Sequence, residues 1–161
     1  MILACTGHRL AKLGGYSGSK AEKYEQFYQE KIRLFLLDKR PEYTITGMAL
    51  GVDQWFAQCC IDLNIPFIAA IPCHGQKNAW PEHAQKEWDR IIKYAKQEFY
   101  VTPGPYNPAC MQIRNQWMVD NSNHLLAIWN GSKGGTFNCI KYADRKLGRE
   151  NITYLWESNV I

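Results

Sequence analysis

The sequence predicts an α/β fold in which a parallel sheet is sandwiched between helices. Short apolar runs of strand length alternate about five times with helix-length amphipathic segments. The connections between them are short. The run from His124 to Trp129 is apolar without alternation, as in a central parallel strand covered on both faces. Right-handed crossovers then bring the loops that follow each strand to one edge of the sheet, where ligands of such sheets bind. The 161 residues suffice for a single domain with one large core.

Met1 to Cys5 reads as the first strand, broken by Thr6-Gly7-His8-Arg9. A loop rich in glycine and lysine runs to Ser19. Ser19 and Glu22 have capping-box spacing, and Tyr24, Phe27, Tyr28, Ile32, Phe35 and Leu36 form one apolar helix face that Pro41 ends. Tyr43 to Thr46 is the second strand. The turn Gly47-Met48-Ala49-Leu50-Gly51 follows, then a helix from Val52 to Leu63 that Asn64 and Pro66 stop. Phe67 to Ile71 is the third strand. Pro81 suits the first turn of the next helix, whose buried face is Ala84, Trp88, Ile91, Ile92 and Ala95. Glu98 to Thr102 is the fourth strand. Asn107 reads as an N-cap before a helix that runs to Asn121. After the fifth strand, Gly134 and Gly135 make a turn, and Thr136 stands where an N-cap is expected. Gly148 closes that helix, and Ile152 to Trp156 is the last strand.

Aromatics are 13% of the chain, which argues against disorder. The longest apolar runs are too short to cross a bilayer, so no membrane partner is expected. Met1 to Arg9 shows no secretory pattern, and none of the six cysteines form a CxxC pair. Buried, reduced thiols in a cytoplasmic protein are therefore expected. Cys73, His74 and His83 lack zinc-ligand spacing, so no metal is expected. The net charge of +4 comes from scattered basic residues. That suits a small phosphate-bearing ligand better than nucleic acid, which selects a concentrated basic face. No Walker A loop and no G-x-G-x-x-G fingerprint is present, so no nucleoside triphosphate or dinucleotide cofactor is expected. Trp88 and Trp117 suit either the core or an interface between copies.

Three segments together resemble the SLOG superfamily, which groups DprA/Smf proteins with the LOG-type cytokinin-activating enzymes, and within it the YspA/YpsA-like branch. They are Thr6-Gly7-His8-Arg9, then Thr46-Gly47-Met48-Ala49-Leu50-Gly51-Val52-Asp53, then Arg114 to Asp120 with the following strand and Gly134-Gly135-Thr136. The resemblance spans nearly the whole chain. It implies a Rossmann-like sheet and the binding of nucleotides or nucleotide-derived ligands.

Glycine at 134 and 135 with Thr136 forms the leading anion-site candidate, with Lys133 or Ser132 nearby, because backbone N–H groups at a helix start attract phosphate. Gly47, Met48, Ala49 and Gly51 offer a small-residue surface for a base or ribose. Asp53, in the first helical turn, serves either the helix dipole or ribose hydroxyls. Arg114 and Met118 share a helix face with Met111, and Asn115 adjoins them. In LOG-like enzymes the matching arginine meets the substrate phosphate. Gly7, His8 and Arg9 follow the first strand, where a guanidinium can grip phosphate bidentately. Lys12 and Tyr16 are candidate lid contacts.

The resembling LOG pattern, Gly-Gly-x-Gly-Thr-x-x-Glu, ends on a hydrolytic glutamate. Here Cys139 stands at that place. Asp53 and Asp120 are the remaining candidates for a catalytic carboxylate, and nothing in the sequence demands either. The expectation is therefore a protein that binds a nucleotide-derived ligand, of ADP-ribose or cyclic type, as a sensor or a sink. A LOG-like N-glycosidic phosphoribohydrolase is the alternative, and DprA-like single-strand DNA binding ranks behind it.

Overall fold

The computed structural model describes residues 1–160. Six parallel strands form one sheet: β1 (Ile2–Gly7), β2 (Tyr43–Thr46), β3 (Phe67–Ile71), β4 (Gln97–Tyr100), β5 (His124–Ile128) and β6 (Ile152–Tyr154), in the order β4-β3-β2-β1-β5-β6. Five helices connect them in turn: α1 (Ser19–Lys39), α2 (Val52–Asp62), α3 (Glu82–Ile92), α4 (Cys110–Asp120) and α5 (Gly135–Leu147). The chain winds outward from β1 to β4, then returns to place β5 on the other side of β1. Loops leaving β1 and β5 diverge there, which opens a crevice at the strand ends.

Strand pleating divides the core in two. Leu3, Cys5, Ala69 and Ile71 point to the face covered by α1, α2 and α3, where Tyr28, Ile32, Phe56 and Trp88 pack. Ala4, Ile45, Ala70 and Leu125 point to the face covered by α4 and α5, against Met118, Val119, Ile140 and Ala143. Trp88 is buried in the first core, and Trp117 stacks on Phe99 with centroids 4.6 Å apart. Trp55 also belongs to the core, stacked on Tyr28 at 6.4 Å.

The helix starts differ from expectation. α1 begins on Gly18 with no side-chain cap, so Ser19 and Glu22 do not form a capping box. Asn107 Oδ1 accepts the Ala109 N–H at 3.0 Å, but the helix begins at Cys110, with Ala109 as its N-cap. Pro81 takes the cap position rather than the first turn. α5 starts two residues early: Gly134 is the N-cap and Thr136 lies inside the first turn. At α1 and α5 a glycine at positive φ, rather than a hydroxyl, stands at the helix start. Gly51 is held in a left-handed conformation, φ 99°, where a Cβ would meet the His8 carbonyl oxygen at 2.6 Å. That approach lets the Val52 N–H donate to the His8 carbonyl at 3.2 Å, tying the start of α2 to the end of β1.

Candidate functional site

The crevice between the loops after β1 and β5 is a cleft of about 260 Å³. Its walls bring together Gly7, His8, Arg9 and Lys12 from the first loop, Ala49 and Asp53 from the β2–α2 turn, and Met111, Arg114, Asn115 and Met118 from α4. The last wall is Ser132, Lys133, Gly134, Gly135, Thr136 and Phe137. Of the residues singled out from sequence, Gly47, Met48 and Gly51 lie behind this surface. Met48 is fully buried, and Gly51 packs against the backbone of His8 and Arg9. Tyr16 lines a different cavity, and Asp120 faces outward, where it accepts the Tyr142 hydroxyl at 2.8 Å.

The α5 N-terminus forms one side. Gly134, at φ 146°, takes a backbone shape that L-residues rarely adopt, and no side chain caps the first turn. The leading N–H groups of a helix have no partner within it, and they carry the positive end of its dipole. Around Gly134 and Gly135 no atom lies within 4 Å of an added Cβ, so this helix end is open.

Opposite stand the basic groups. Lys12 Nζ reaches across to donate to Ser132 Oγ at 2.7 Å. The guanidinium groups of Arg9 and Arg114 approach the same atom, Met111 Sδ, at 3.8 and 3.7 Å. Arg9 is exposed, whereas Arg114 is only 4% exposed. Arg114 Nη1 donates to the carbonyls of Gly47 at 2.5 Å and Ala70 at 3.2 Å, and Nε donates to Asn115 Oδ1 at 2.9 Å. Nη1 thus ties α4 to the ends of β2 and β3, while Nε and Nη2 stay on α4 itself. Sequence spacing gives no sign of this, because both carbonyls lie on other elements.

Asp53 Oδ2 accepts the Ala49 N–H at 3.2 Å. Burial pushes its carboxyl above the ordinary range, opposed by the Arg114 charge and by the Ala49 hydrogen bond. Burial also lowers Arg114, opposed by Asp53. His8 is buried, and its Nε2 accepts the Asn130 N–H at 3.0 Å in the neutral ring. Burial holds this imidazole below its usual value. Asn130 Oδ1 in turn accepts the Ser132 N–H at 3.0 Å, so His8 braces the turn that carries Ser132. Asn130 and Met111 are structural members of the site that sequence reading did not assign. The glycine-rich turn beside Asn130 was the available signal for the first, and the shared helix face with Arg114 for the second.

Cys139 lies on the buried face of α5, its thiol pushed up to about 11 by burial. Among the described residues, no group of three or more His, Cys, Asp or Glu side chains is placed to hold a metal, so Cys73, His74 and His83 form no such cluster. Among the same residues, no helix is long and apolar enough to cross a membrane.

The chain is 37% identical over 128 residues to an uncharacterized prophage-derived protein, YoqJ, of Bacillus subtilis, covering 68% of this chain and 74% of that one. It is 28% identical over 142 residues to YpsA of the same organism, a UPF0398 protein, covering 84% and 79%. Among solved structures, DNA processing protein A from Helicobacter pylori, described for its single-stranded DNA binding mode, superposes with a TM-score of 0.66 at 15% identity. That likeness covers 96% of this chain and 64% of the other, and at such identity it shows a shared fold. Residues 3–155 match the model of the YspA SLOG family, and the chain belongs to that family.

Proposed function

We propose that the cleft binds a nucleotide or nucleotide-derived phosphate ligand, of ADP-ribose or cyclic type, and that the protein acts by holding it as a sensor or sink. The observation that carries this reading is the open, uncapped α5 N-terminus at Gly134 and Gly135 facing a cleft lined by Arg9, Lys12, Arg114 and Lys133 against a single acid, Asp53. Main-chain N–H groups bind phosphate oxygens, and the surrounding basic groups supply the charge. Phe137, stacked on Trp129 at 5.8 Å, adds an aromatic surface at the rim for a base. Cys139, a buried thiol that stays protonated, offers no acid–base chemistry at the place where LOG-type enzymes carry glutamate, which favours holding over hydrolysis.

Titration calorimetry with ADP-ribose, AMP and a cyclic dinucleotide tests the reading. At least one is expected to bind, and Gly135→Asp is expected to abolish that binding. A carboxylate there suits the helix dipole, so the variant is expected to keep its melting temperature. Absence of binding across the panel, or equal binding by Gly135→Asp, would overturn the proposal.

A hydrolytic reading rests on one observation, the Asp53 carboxyl lining the cleft with a raised pKa. It requires release of free base from a nucleoside monophosphate, lost in Asp53→Asn. Binding without base release would exclude it.

A further inference from the structure

A second, larger cavity of about 560 Å³ lies beside the first, between the β1–α1 loop, α1, α2 and α3. The same loop separates the two: Arg9 and Lys12 face the phosphate-side cleft, whereas Leu10 and Tyr16 line the second cavity. Their electrostatics are opposite. On the second cavity's walls Arg90 is held by Glu87, with Nη2 2.6 Å from Oε1 and Nε 3.0 Å from Oε2, and it also donates to Gln58. Glu22 and Glu25, three residues apart on one face of α1, form no ion pair among the described residues. Among the described residues the only side-chain donor to either is the Gln29 amide, 3.3 Å from Glu25 Oε1. His83, on the far wall, is exposed.

The α2 wall supplies an independent observation. Gln54 is 7% exposed; its Nε2 donates to the Met48 carbonyl at 3.2 Å, which fixes the amide's orientation and leaves Oε1 without a protein donor. Trp55 is 6% exposed, and its indole N–H has no protein acceptor among the described residues. Neither polar atom is sealed from solvent, and both side chains line this cavity. Each is the polar tip of a side chain otherwise more than nine-tenths buried, so the cavity offers a guest one acceptor and one donor that the protein itself leaves unpaired.

We infer that this second cavity binds a small organic cation, an ammonium or guanidinium compound that also carries a neutral acceptor oxygen. The cation lies against Glu22 and Glu25 and donates to Gln54 Oε1. The acceptor oxygen takes the Trp55 N–H. A phosphate ligand is repelled by the same carboxylates, so the two cavities select opposite charge. Burial, with help from the Glu87 and Glu22 charges, already holds Glu25 above the ordinary carboxylate range, as expected of an acid lacking a counter-ion.

L-argininamide carries both features and is the probe. In a two-dimensional NMR titration of the intact protein it is expected to shift the Trp55 indole and Gln54 side-chain amide signals, with N-acetyl-L-citrullinamide, which keeps neutral acceptor oxygens and carries no positive charge, binding at least about tenfold more weakly. Glu22→Gln with Glu25→Gln, both surface substitutions on α1, is expected to weaken argininamide about tenfold or more. Gly135→Asp is expected to leave it unchanged, which separates this site from the phosphate cleft. Unmoved Trp55 and Gln54 signals at millimolar argininamide, equal binding of N-acetyl-L-citrullinamide, or indifference to the double substitution would overturn the inference.

Discussion

Asp53 and Arg114 close on Gly47 from two sides: a Cβ added at Gly47 would lie 2.6 Å from Arg114 Cζ and 2.7 Å from Asp53 Oδ2. The missing side chain is therefore what lets a buried cation and a buried acid share one pocket wall. Gly47→Ala must displace one of them, and Arg114 cannot swing away without abandoning the carbonyls of Gly47 and Ala70. A stability loss of about 1–3 kcal/mol is expected in urea denaturation, from overpacking alone, since Gly47 has no positive φ. An unchanged midpoint would show that the wall is pliable.

His8 predicts a pH dependence. Its folded pKa lies below the ordinary 6.5 because burial disfavours the imidazolium. The unfolded chain therefore takes up the proton first on acidification. Stability from this group is complete above 6.5 and declines as pH falls from there toward the lower folded value. His124, also lowered by burial, adds a slope of the same sign. His8→Gln is expected to reduce, and not abolish, the loss of melting temperature between neutral and mildly acid pH.

The alternation of strands and helices, and hence the fold class and the edge where the cleft opens, was legible because runs such as Leu125 to Ile128 have no other home than a sheet interior. The cleft's composition was legible for Arg9, Lys133, Gly134, Gly135 and Thr136, which lie on loops that topology delivers to that edge. Less legible was the division of labour within it. Arg114 reads as a helix-surface phosphate contact, yet it is buried and its Nη1 donates to carbonyls on two other elements. Gly47, Met48 and Gly51 read as ligand surface, yet Gly47 and Gly51 provide clearance for Arg114 and the His8 carbonyl, and Met48 fills core. Such roles depend on what faces a residue across space, which local pattern does not encode. Helix starts failed for a related reason: a hydroxyl at cap spacing says nothing about which loop contact fixes the first turn.

Lys12 bridges the cleft mouth to Ser132 with an exposed ammonium. A bound phosphate would draw that ammonium away from Ser132. Lys12→Met is expected to weaken nucleotide or ADP-ribose binding by only about two- to fivefold, the range of a solvent-screened charge contact. The same variant is expected to bind with a shallower dependence on salt. Calorimetry at two ionic strengths reads both effects.

Tyr28 anchors the chain end. Its hydroxyl donates to the Glu157 carbonyl at 3.4 Å and accepts the Glu157 N–H at 3.2 Å, and its ring stacks on Trp156 at 5.7 Å. Tyr28→Phe keeps the ring and loses both bonds, at a cost of about 1 kcal/mol. Faster amide hydrogen exchange at Glu157, with protection in β1 unchanged, is the expected signature.

Because β5 lies beside β1, the two rims of the cleft come from segments far apart in sequence, with 120 residues separating Lys12 from Ser132. A ribosome that has delivered the first four strands has made most of the sheet and none of the anion-holding rim. If the cleft holds a phosphate as proposed, binding competence therefore waits until the segment through Phe137 has been made. A fragment that stops short of Phe137 would lack the very amides that a phosphate needs, however well its remaining strands pair.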